Sequence, residues 1–385
     1  MPRTLAAAVP KSSSQALVLS GVRRSGKSTM LAQLLRRGRG GVCVNLEDPR
    51  LYGLEPRDFP TFLAALEARF PSGAIGLDEV QEAREWERLV RALLDRGRAV
   101  VVTGSNASLL GREVGTKLTG RHLSFEVSPF SYPEYLACRG LPAGEESFRG
   151  HLDEGGFPGY LREGNPNILR ELLRDVIQRD IASRHGVRQM RHLMNLALFL
   201  LANTGLPFSL QRLTKSLSVP TVGQTSRYVE YLQDAYLLFA LPKFSPSFRR
   251  RVASPCKYYA VDNGLRRANA PQEQPDWGRR LENAVYLALR RTDCRLAYAG
   301  ERDLWECDFV TDSCAVQVCA ELTEENRARE IGGLLRALRI APRRRPLLIT
   351  LRQEQKIREE GVEISVLPAW KWLAGDRKLG DVVNL

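Results

Sequence analysis

The sequence of 385 residues lacks features that define several classes of protein. It has no uncharged apolar run of about 18 residues, so no segment is predicted to span a bilayer. Its N-terminus has no apolar signal-peptide core, and we expect a cytoplasmic protein without a membrane partner. The seven cysteines form no CxxC pair, which argues against a zinc site and a disulfide framework.

Lysine and histidine are scarce, with nine lysines and four histidines beside 48 arginines. The net charge is nevertheless +13, with a pI of about 9.6. A basic protein favours a polyanionic partner, although an arginine bias can also reflect genomic base composition. With 43% apolar and 26% charged residues, the chain is predicted to fold into two or three domains.

The first part of the chain alternates short apolar runs with helical patterns. The predicted strands cover residues 16–20, 42–46, 74–78, 99–103 and 122–127, and helical patterns lie between the first four. This alternation is typical of a parallel sheet covered by helices on both faces. We therefore predict an α/β nucleotide-binding domain over residues 1–165.

The segment GVRRSGKS, residues 21–28, fits the pattern G-x-x-x-x-G-K-[ST] and lies between a predicted strand and a predicted helix. In such a loop the glycines let backbone N–H groups point at the β-phosphate. Lys27 would neutralise the β- and γ-phosphate oxygens, and Ser28 would ligate Mg²⁺. We predict a site for ATP and Mg²⁺ formed by Gly21, Arg23, Arg24, Ser25, Gly26, Lys27, Ser28 and Thr29.

Polar residues end the next two strands of the predicted sheet. Asp78 would orient Mg²⁺ through its water, and Glu79 would polarise the water that attacks the γ-phosphate. The segment TGSN, residues 103–106, ends the following strand. Asn106 or Ser105 either acts at the γ-phosphate, where it would hold the attacking water or sense the phosphate, or caps an ordinary turn.

The middle of the chain, residues 166–269, is predicted to be helical and then to form a winged helix-turn-helix. Two helices with a turn between them are followed by two strands, and residues 221–228 would begin the recognition helix. Three arginines between the strands suit phosphate contacts with DNA: Arg249, Arg250 and Arg251. Winged helices also serve as lids or protein-docking modules, so both uses stay open.

The third predicted domain, residues 270–385, opens with a proline-rich break. It then reads helix, three strands, helix and strand, an order that resembles the core of PD-(D/E)XK nucleases. Such sites use carboxylates to hold Mg²⁺ and a lysine to position the attacking water. Glu282 and Asp308 match the first two carboxylates of that pattern.

The E-x-K part of the nuclease pattern is not matched. Gln317 stands where a carboxylate is needed, and Cys319 stands where the lysine is needed. Glu306 could replace the missing carboxylate, but it stands two residues before Asp308 and only shares the strand face of that residue. We therefore expect a nuclease-like fold with a vestigial, silent site, used to bind DNA or neighbouring subunits.

Segments along nearly the whole chain resemble one family, the bacterial and archaeal AAA+-type P-loop ATPases with a C-terminal domain of unknown function. The segments are GVRRSGKST, NLEDPR, LDEVQ, TGSN, LTGRHLSFEVSPFSYPEYL, GGFPGYL, YLQDAYLLF, KYYAVDNGL, LENAVYLAL and ECDFV. The resemblance implies an ATP hydrolase that assembles into homo-oligomeric rings. It also implies that Arg23 and Arg24 are a family feature of the loop, in which Arg23 either adds charge near the phosphates or pairs with an acid of the sheet.

The resemblance extends to Arg121, in the segment LTGRH. In AAA+ ATPases an arginine from the neighbouring subunit stabilises the charge that develops on the γ-phosphate. The alternative for Arg121 is an ordinary surface salt bridge.

Together these features predict an Mg²⁺-dependent ATPase that couples ATP hydrolysis to binding, translocation or remodelling of DNA, with branched DNA as one candidate. The alternative is a nucleotide-controlled signalling switch that recruits a protein partner. Nuclease activity is not expected, because Gln317 and Cys319 replace two groups that the chemistry needs.

Overall fold

A computed structural model describes residues 3–10, 13–37, 40–106, 118, 120–270, 276–292 and 294–375. The chain divides into two compact units. Unit 1 comprises Met1–Pro129 and Asp234–Tyr236, and unit 2 comprises Phe130–Gln233 and Leu237–Leu385. The proline-rich break predicted at 270–276 lies largely outside the described residues, and the predicted division into three domains remains a prediction.

Unit 1 is built on five strands: β1 (Ala16–Ser20), β2 (Gly41–Asn45), β3 (Ala74–Asp78), β4 (Val100–Gly104) and β5 (His122–Glu126). They form a parallel sheet in the order β2-β3-β4-β1-β5. Each strand ends within one residue of the predicted position, so the predicted parallel sheet is confirmed. Three helices follow the first three strands: α1 (Lys27–Arg37), α2 (Phe59–Arg69) and α3 (Trp86–Asp95).

Strand β1 lies between β4 and β5, and all five of its residues are buried. Because successive side chains of a strand point to opposite sides, β1 is covered on both faces of the sheet. Ala16 and Val18 join one apolar cluster, whereas Leu17 and Leu19 join a second one. The carboxyl ends of β1, β3 and β4 meet at one edge of the parallel sheet. Residues that directly follow these strands are therefore brought together, as ligand-binding residues of such sheets are.

Unit 2 begins with a series of helices. They are α4 (Tyr132–Arg139), α5 (Glu145–Glu154), α6 (Pro158–Glu163), α7 (Asn167–Asp175), a π-helical segment (Val176–Ser183) and α8 (Met190–Ala202). The sequence assigns residues 130–165 to the first domain, but the structure groups them with unit 2.

The reason for this grouping is a set of polar contacts with a segment about 100 residues later. Asp262 accepts hydrogen bonds from the backbone N–H groups of Gly156, at 2.6 Å, and Leu265, at 2.8 Å. Asp153 pairs with Arg267 at 2.9 Å and with Arg280 at 2.5 Å. The segments GGFPGYL and KYYAVDNGL lie far apart in the sequence, but they are in contact in the structure.

The middle of unit 2 contains a small antiparallel sheet in the order β6-β8-β7. Its strands are β6 (Pro207–Phe208), β7 (Leu238–Leu241) and β8 (Cys256–Ala260). The helices of this region are α9 (Leu210–Ser216), α10 (Val222–Asp234), α11 (Phe248–Ala253) and α12 (Asn263–Asn269). The segment between β7 and β8 is thus partly helical.

The last part of unit 2 is a six-stranded mixed sheet in the order β13-β14-β12-β11-β10-β9. The strands are β9 (Ala297–Glu301), β10 (Trp305–Val310), β11 (Cys314–Val318), β12 (Arg345–Thr350), β13 (Gln355–Glu359) and β14 (Val362–Pro368). Three helices accompany them: α13 (Trp277–Arg290), α14 (Glu324–Ile340) and α15 (Ala369–Ala374). Within the ranges that the structure describes, no helix is long and apolar enough to cross a membrane.

Unit 2 contains a partly buried histidine that we expect to make the protein acid-sensitive. His151 packs against the rings of Tyr132, Tyr135 and Phe148, and burial lowers its pKa from 6.5 to about 4. A histidine with a lowered pKa contributes stability above its unfolded pKa, and this contribution is lost as the pH falls towards the folded pKa. Between pH 6.5 and 4 the loss amounts to roughly 3 kcal/mol.

The variant His151→Gln removes the titrating ring and keeps an N–H donor. We expect its free energy of unfolding, measured with urea, to fall less steeply than that of the wild type between pH 6.5 and 4. Parallel pH dependences of the two proteins would show that His151 is not responsible.

Candidate nucleotide-binding site

The predicted phosphate loop runs from the end of β1 to the first turn of α1. Gly21 and Gly26 have φ angles of 147° and 100°, which favour glycine. A Cβ atom at Gly21 would lie 2.3 Å from the carbonyl oxygen of Val127, so the loop passes too close to the chain for any side chain there. Arg24 also has a positive φ, 62°, and the loop is tightly curled throughout.

Lys27 lies inside this curl. Its Nζ atom donates hydrogen bonds to the carbonyl oxygens of Gly21, at 3.0 Å, and Val22, at 3.2 Å. The hydroxyl of Ser25 is buried and, within the described part of the chain, has no hydrogen-bond partner. A cationic group and an unsatisfied hydroxyl in one curled loop fit a phosphate group, which accepts hydrogen bonds from both.

Ser28 and Asp78 lie side by side at the edge of the sheet. The Ser28 hydroxyl donates to Asp78 Oδ1 at 3.1 Å. The same oxygen accepts a hydrogen bond from the hydroxyl of Thr103, which also accepts one from the Glu79 backbone N–H at 3.0 Å. A hydroxyl and a carboxylate are the oxygen donors that Mg²⁺ prefers, so these residues fit the magnesium ion that an ATP site needs.

Glu79 follows β3 in a left-handed backbone conformation, with φ 54° and ψ 55°. One carboxylate oxygen, Oε1, lies 4.0 Å from Lys27 Nζ. The other, Oε2, accepts a hydrogen bond of 2.6 Å from the amide of Gln81. The hydrogen bond from Gln81 therefore orients the carboxylate, and its other oxygen faces Lys27 in the phosphate loop.

The two arginines of the loop differ in their surroundings. Arg23 pairs with Glu47, which follows β2, at 3.5 Å, as in the second of the two roles predicted for it. Arg24 and Thr29 are exposed. Their roles in binding nucleotide remain predictions.

Three residues that the sequence analysis did not assign take part in the site: Thr103, Gln81 and Arg3. Arg3 is 8% exposed, and its guanidinium group donates to the carbonyl oxygens of Ser25, at 3.0 Å, and Ser128. It therefore fixes the phosphate loop to the segment after β5. Thr103 was within reach of sequence reasoning, because it ends a buried strand beside β3.

The remaining predicted residues of unit 1 lie at or near the sheet. Ser105 and Asn106 are buried directly after β4, in positions compatible with either predicted role. Arg121 forms a salt bridge of 2.6 Å with Asp95, the contact expected of the alternative role given for it. Its catalytic role remains a prediction.

In unit 2 the structure brings Glu282 and Asp308 together around a residue that the sequence did not indicate. Lys257, on β8, lies 3.0 Å from Glu282 and 3.1 Å from Asp308. Burial acts to lower the pKa of the Lys257 ammonium, but the neighbouring carboxylates outweigh it and raise that pKa well above its usual value. Burial also raises the pKa of Glu282 to about 7, against the opposing effect of Lys257.

The side chain of Gln317 bonds to β10 and to helix α14 rather than to Lys257. Its amide oxygen accepts a hydrogen bond from the Asp308 backbone N–H at 3.3 Å, and its amide nitrogen donates to Glu330 at 2.7 Å.

The three arginines predicted to contact DNA lie on α11 and are exposed: Arg249, Arg250 and Arg251.

Two family models match parts of the chain. Residues 13–136 match an AAA domain, and residues 145–276 match a domain of unknown function, DUF8612. The first match contains the phosphate loop, Asp78 and Glu79, and it supports an AAA+ P-loop ATPase with nucleotide binding in this part of the chain. Neither match reaches Glu282 or Asp308, so the nuclease resemblance remains a prediction.

Two relatives extend over most of the chain. An uncharacterized protein of Haemophilus influenzae is 28% identical over 380 residues, covering 92% of this chain and 93% of its own. An uncharacterized protein of Methanocaldococcus jannaschii is 29% identical over 388 residues, covering 92% of this chain and 87% of its own. The chain is therefore similar to these proteins along its length.

Solved structures give weaker likenesses. The Orc1 protein of Aeropyrum pernix in complex with DNA covers 69% of this chain and 88% of its own, with 15% identity and a TM-score of 0.34. Cdc6p of Pyrobaculum aerophilum covers 63% and 83%, with 12% identity and a TM-score of 0.25. At these scores neither likeness carries an argument about function.

Proposed function

We propose that unit 1 binds ATP with Mg²⁺ and hydrolyses it. The observation that carries this proposal is the meeting of Lys27, the Ser28–Asp78 pair and Glu79 at the carboxyl edge of one parallel sheet. The phosphate-binding cation, the metal-binding oxygens and a carboxylate base are the parts that phosphoryl transfer to water requires.

Each residue has a definite task in this proposal. Lys27 exchanges the loop carbonyls for phosphate oxygens, and Ser28 and Asp78 hold the metal ion. Bound Mg²⁺ supplies positive charge that stabilises the transferred phosphoryl group. Glu79 takes the proton from the attacking water, and Thr103 and Gln81 keep the two carboxylates in place.

We further propose that the protein acts on DNA and functions as a homo-oligomer. The net charge of +13 and the exposed arginines of α11 support a DNA partner. Within the ranges that the structure describes, Arg249, Arg250 and Arg251 form no ion pair with a carboxylate. Their charge is thus available to the phosphates of DNA.

For the homo-oligomer, Arg121 is the candidate residue that completes the ATP site of a neighbouring subunit.

Replacing Arg249, Arg250 and Arg251 together by alanine should weaken binding to all duplex sequences alike, because phosphate contacts do not read bases. Each lost contact lowers the slope of log K against log salt concentration by about 0.9, so the triple change should remove up to roughly 2.7. The measurement is fluorescence anisotropy of labelled duplex DNA over a salt series.

A matched control replaces Arg295 and Arg302, exposed arginines of unit 2 that already pair with Asp312 and Asp303. This variant should keep the wild-type slope. An unchanged slope in the triple variant would assign DNA binding to another part of the chain and leave α11 as a lid or docking element.

The experiment that tests the proposed function is ATP turnover with single-stranded, duplex, forked and four-way DNA. A motor speeds up when its track is present. A nucleotide-controlled switch that recruits a protein partner keeps a slow rate with every DNA.

A further inference from the structure

A buried ammonium group occupies the centre of a carboxylate cluster in unit 2. The side chain of Lys257 is fully buried on β8. Its Nζ atom lies 3.0 Å from Glu282 on α13, 2.7 Å from Glu306 on β10 and 3.1 Å from Asp308, also on β10. Three carboxylates from two elements therefore converge on one lysine from a third.

The cluster is complete without any added ligand. The ammonium group donates hydrogen bonds to Glu282 and Asp308, and it forms an ion pair with Glu306 at 2.7 Å. The Tyr259 hydroxyl donates to Glu282 at 2.6 Å, and the Val318 backbone N–H donates to the second oxygen of Asp308 at 3.0 Å. The carboxylates are thus held by protein groups on several sides.

A divalent metal ion does not fit this arrangement. Carboxylate oxygens bind Mg²⁺ at 2.0–2.1 Å, and the ammonium nitrogen already lies where such an ion would meet all three carboxylates. Two cations at one buried position repel each other strongly. In the part of the chain that the structure covers, no group of three or more His, Cys, Asp or Glu side chains is arranged to hold a metal ion.

We propose that the Lys257 ammonium stands in place of a metal ion and makes this cluster a metal-independent joint that fixes β8 to α13 and β10. The joint lies next to a second set of contacts, which connect the hairpin of β7 and β8 to the mixed sheet. The Tyr298 backbone N–H donates to the Pro242 carbonyl oxygen at 3.0 Å. The Tyr298 hydroxyl donates to the Pro255 carbonyl oxygen at 2.7 Å. Both ends of the segment that carries α11 are therefore anchored to the mixed sheet.

The test compares thermal unfolding of the full chain in EDTA and in Mn²⁺, without nucleotide. The wild-type midpoint should be the same in both. The variant Lys257→Met leaves three carboxylates without their cation, and its midpoint in EDTA should fall by about 10 °C. Mn²⁺ should restore part of that loss, because the position of the ammonium group is then open to a metal ion.

A triple variant, Lys257→Met with Glu282→Gln and Asp308→Asn, removes the lysine together with the two buried carboxylate charges and leaves only Glu306, whose side chain is 42% exposed. It should unfold within a few degrees of the wild type and should not respond to Mn²⁺. If Lys257→Met does not fold, the triple variant tests the proposal instead. A folded triple variant supports the proposal, and an unfolded one contradicts it.

Two further results would overturn the proposal. One is an unchanged midpoint for Lys257→Met in EDTA. The other is a rise of the wild-type midpoint in Mn²⁺ that the variant Asp308→Asn abolishes, since the cluster would then bind metal in the native protein. None of these outcomes depends on the proposed ATPase activity.

Discussion

The Lys27→Ala variant is expected to lose tight ATP binding, with a rise in Kd of about 100-fold. Lys27 Nζ lies within the curl of the phosphate loop, and a charge-assisted hydrogen bond to phosphate contributes about 1.5–3 kcal/mol. Alanine at this position supplies neither the charge nor a donor. Isothermal titration with ATP in the presence of Mg²⁺ measures the effect.

Lys215→Ala provides the control for this variant, because Lys215 is an exposed lysine of unit 2. It should bind ATP as the wild type does. A Kd for Lys27→Ala within about twofold of the wild type would mean that residues 21–28 are not the phosphate site.

The Glu79→Gln variant is expected to bind ATP normally and to hydrolyse it about 10²- to 10⁴-fold more slowly, the usual contribution of a general base. Glutamine has the size of glutamate and can keep the contact with Gln81, but it cannot take a proton from water. The measurement is steady-state phosphate release together with ATP affinity.

Glu82→Gln is the matched control, because Glu82 is an exposed acid three residues further along. This variant should turn over ATP at the wild-type rate. Equal turnover by the wild type and Glu79→Gln would remove Glu79 from the role of base.

The phosphate loop and the sheet of unit 1 were predictable because their signals are local. Apolar runs of five residues, a Gly-rich turn and a helical pattern follow one another directly, and parallel strands bring their carboxyl ends to one edge. The contact of Ser28 with Asp78 follows from this topology, although the two residues lie 50 positions apart.

Other parts of the site depend on contacts that leave no local pattern. Arg3 reaches the loop from the beginning of the chain, where neither spacing nor a motif marks it. Gln81 donates to the Glu79 carboxylate from two residues further along, next to a left-handed residue that no sequence motif marks. Lys257 meets Glu282 and Asp308 from a different sheet, so a search of the E-x-K positions alone could not find it.

The hairpin of β13 and β14 was not predicted, although a signal was present. Glu360 and Gly361 form its two-residue turn, with φ angles of 47° and 79°. Two left-handed residues are characteristic of a type I′ turn, which usually carries Asn-Gly or Asp-Gly. The glutamate at the first position weakened the signal.

The coupling of ATP hydrolysis to DNA is measured by steady-state ATP turnover titrated with duplex DNA, for the wild type and for Glu79→Gln in parallel. We expect Mg²⁺-dependent turnover by the wild type that rises several-fold and saturates with DNA, and a flat, low rate for Glu79→Gln. A wild-type rate that does not change while the DNA is bound would contradict the coupling of ATP hydrolysis to DNA.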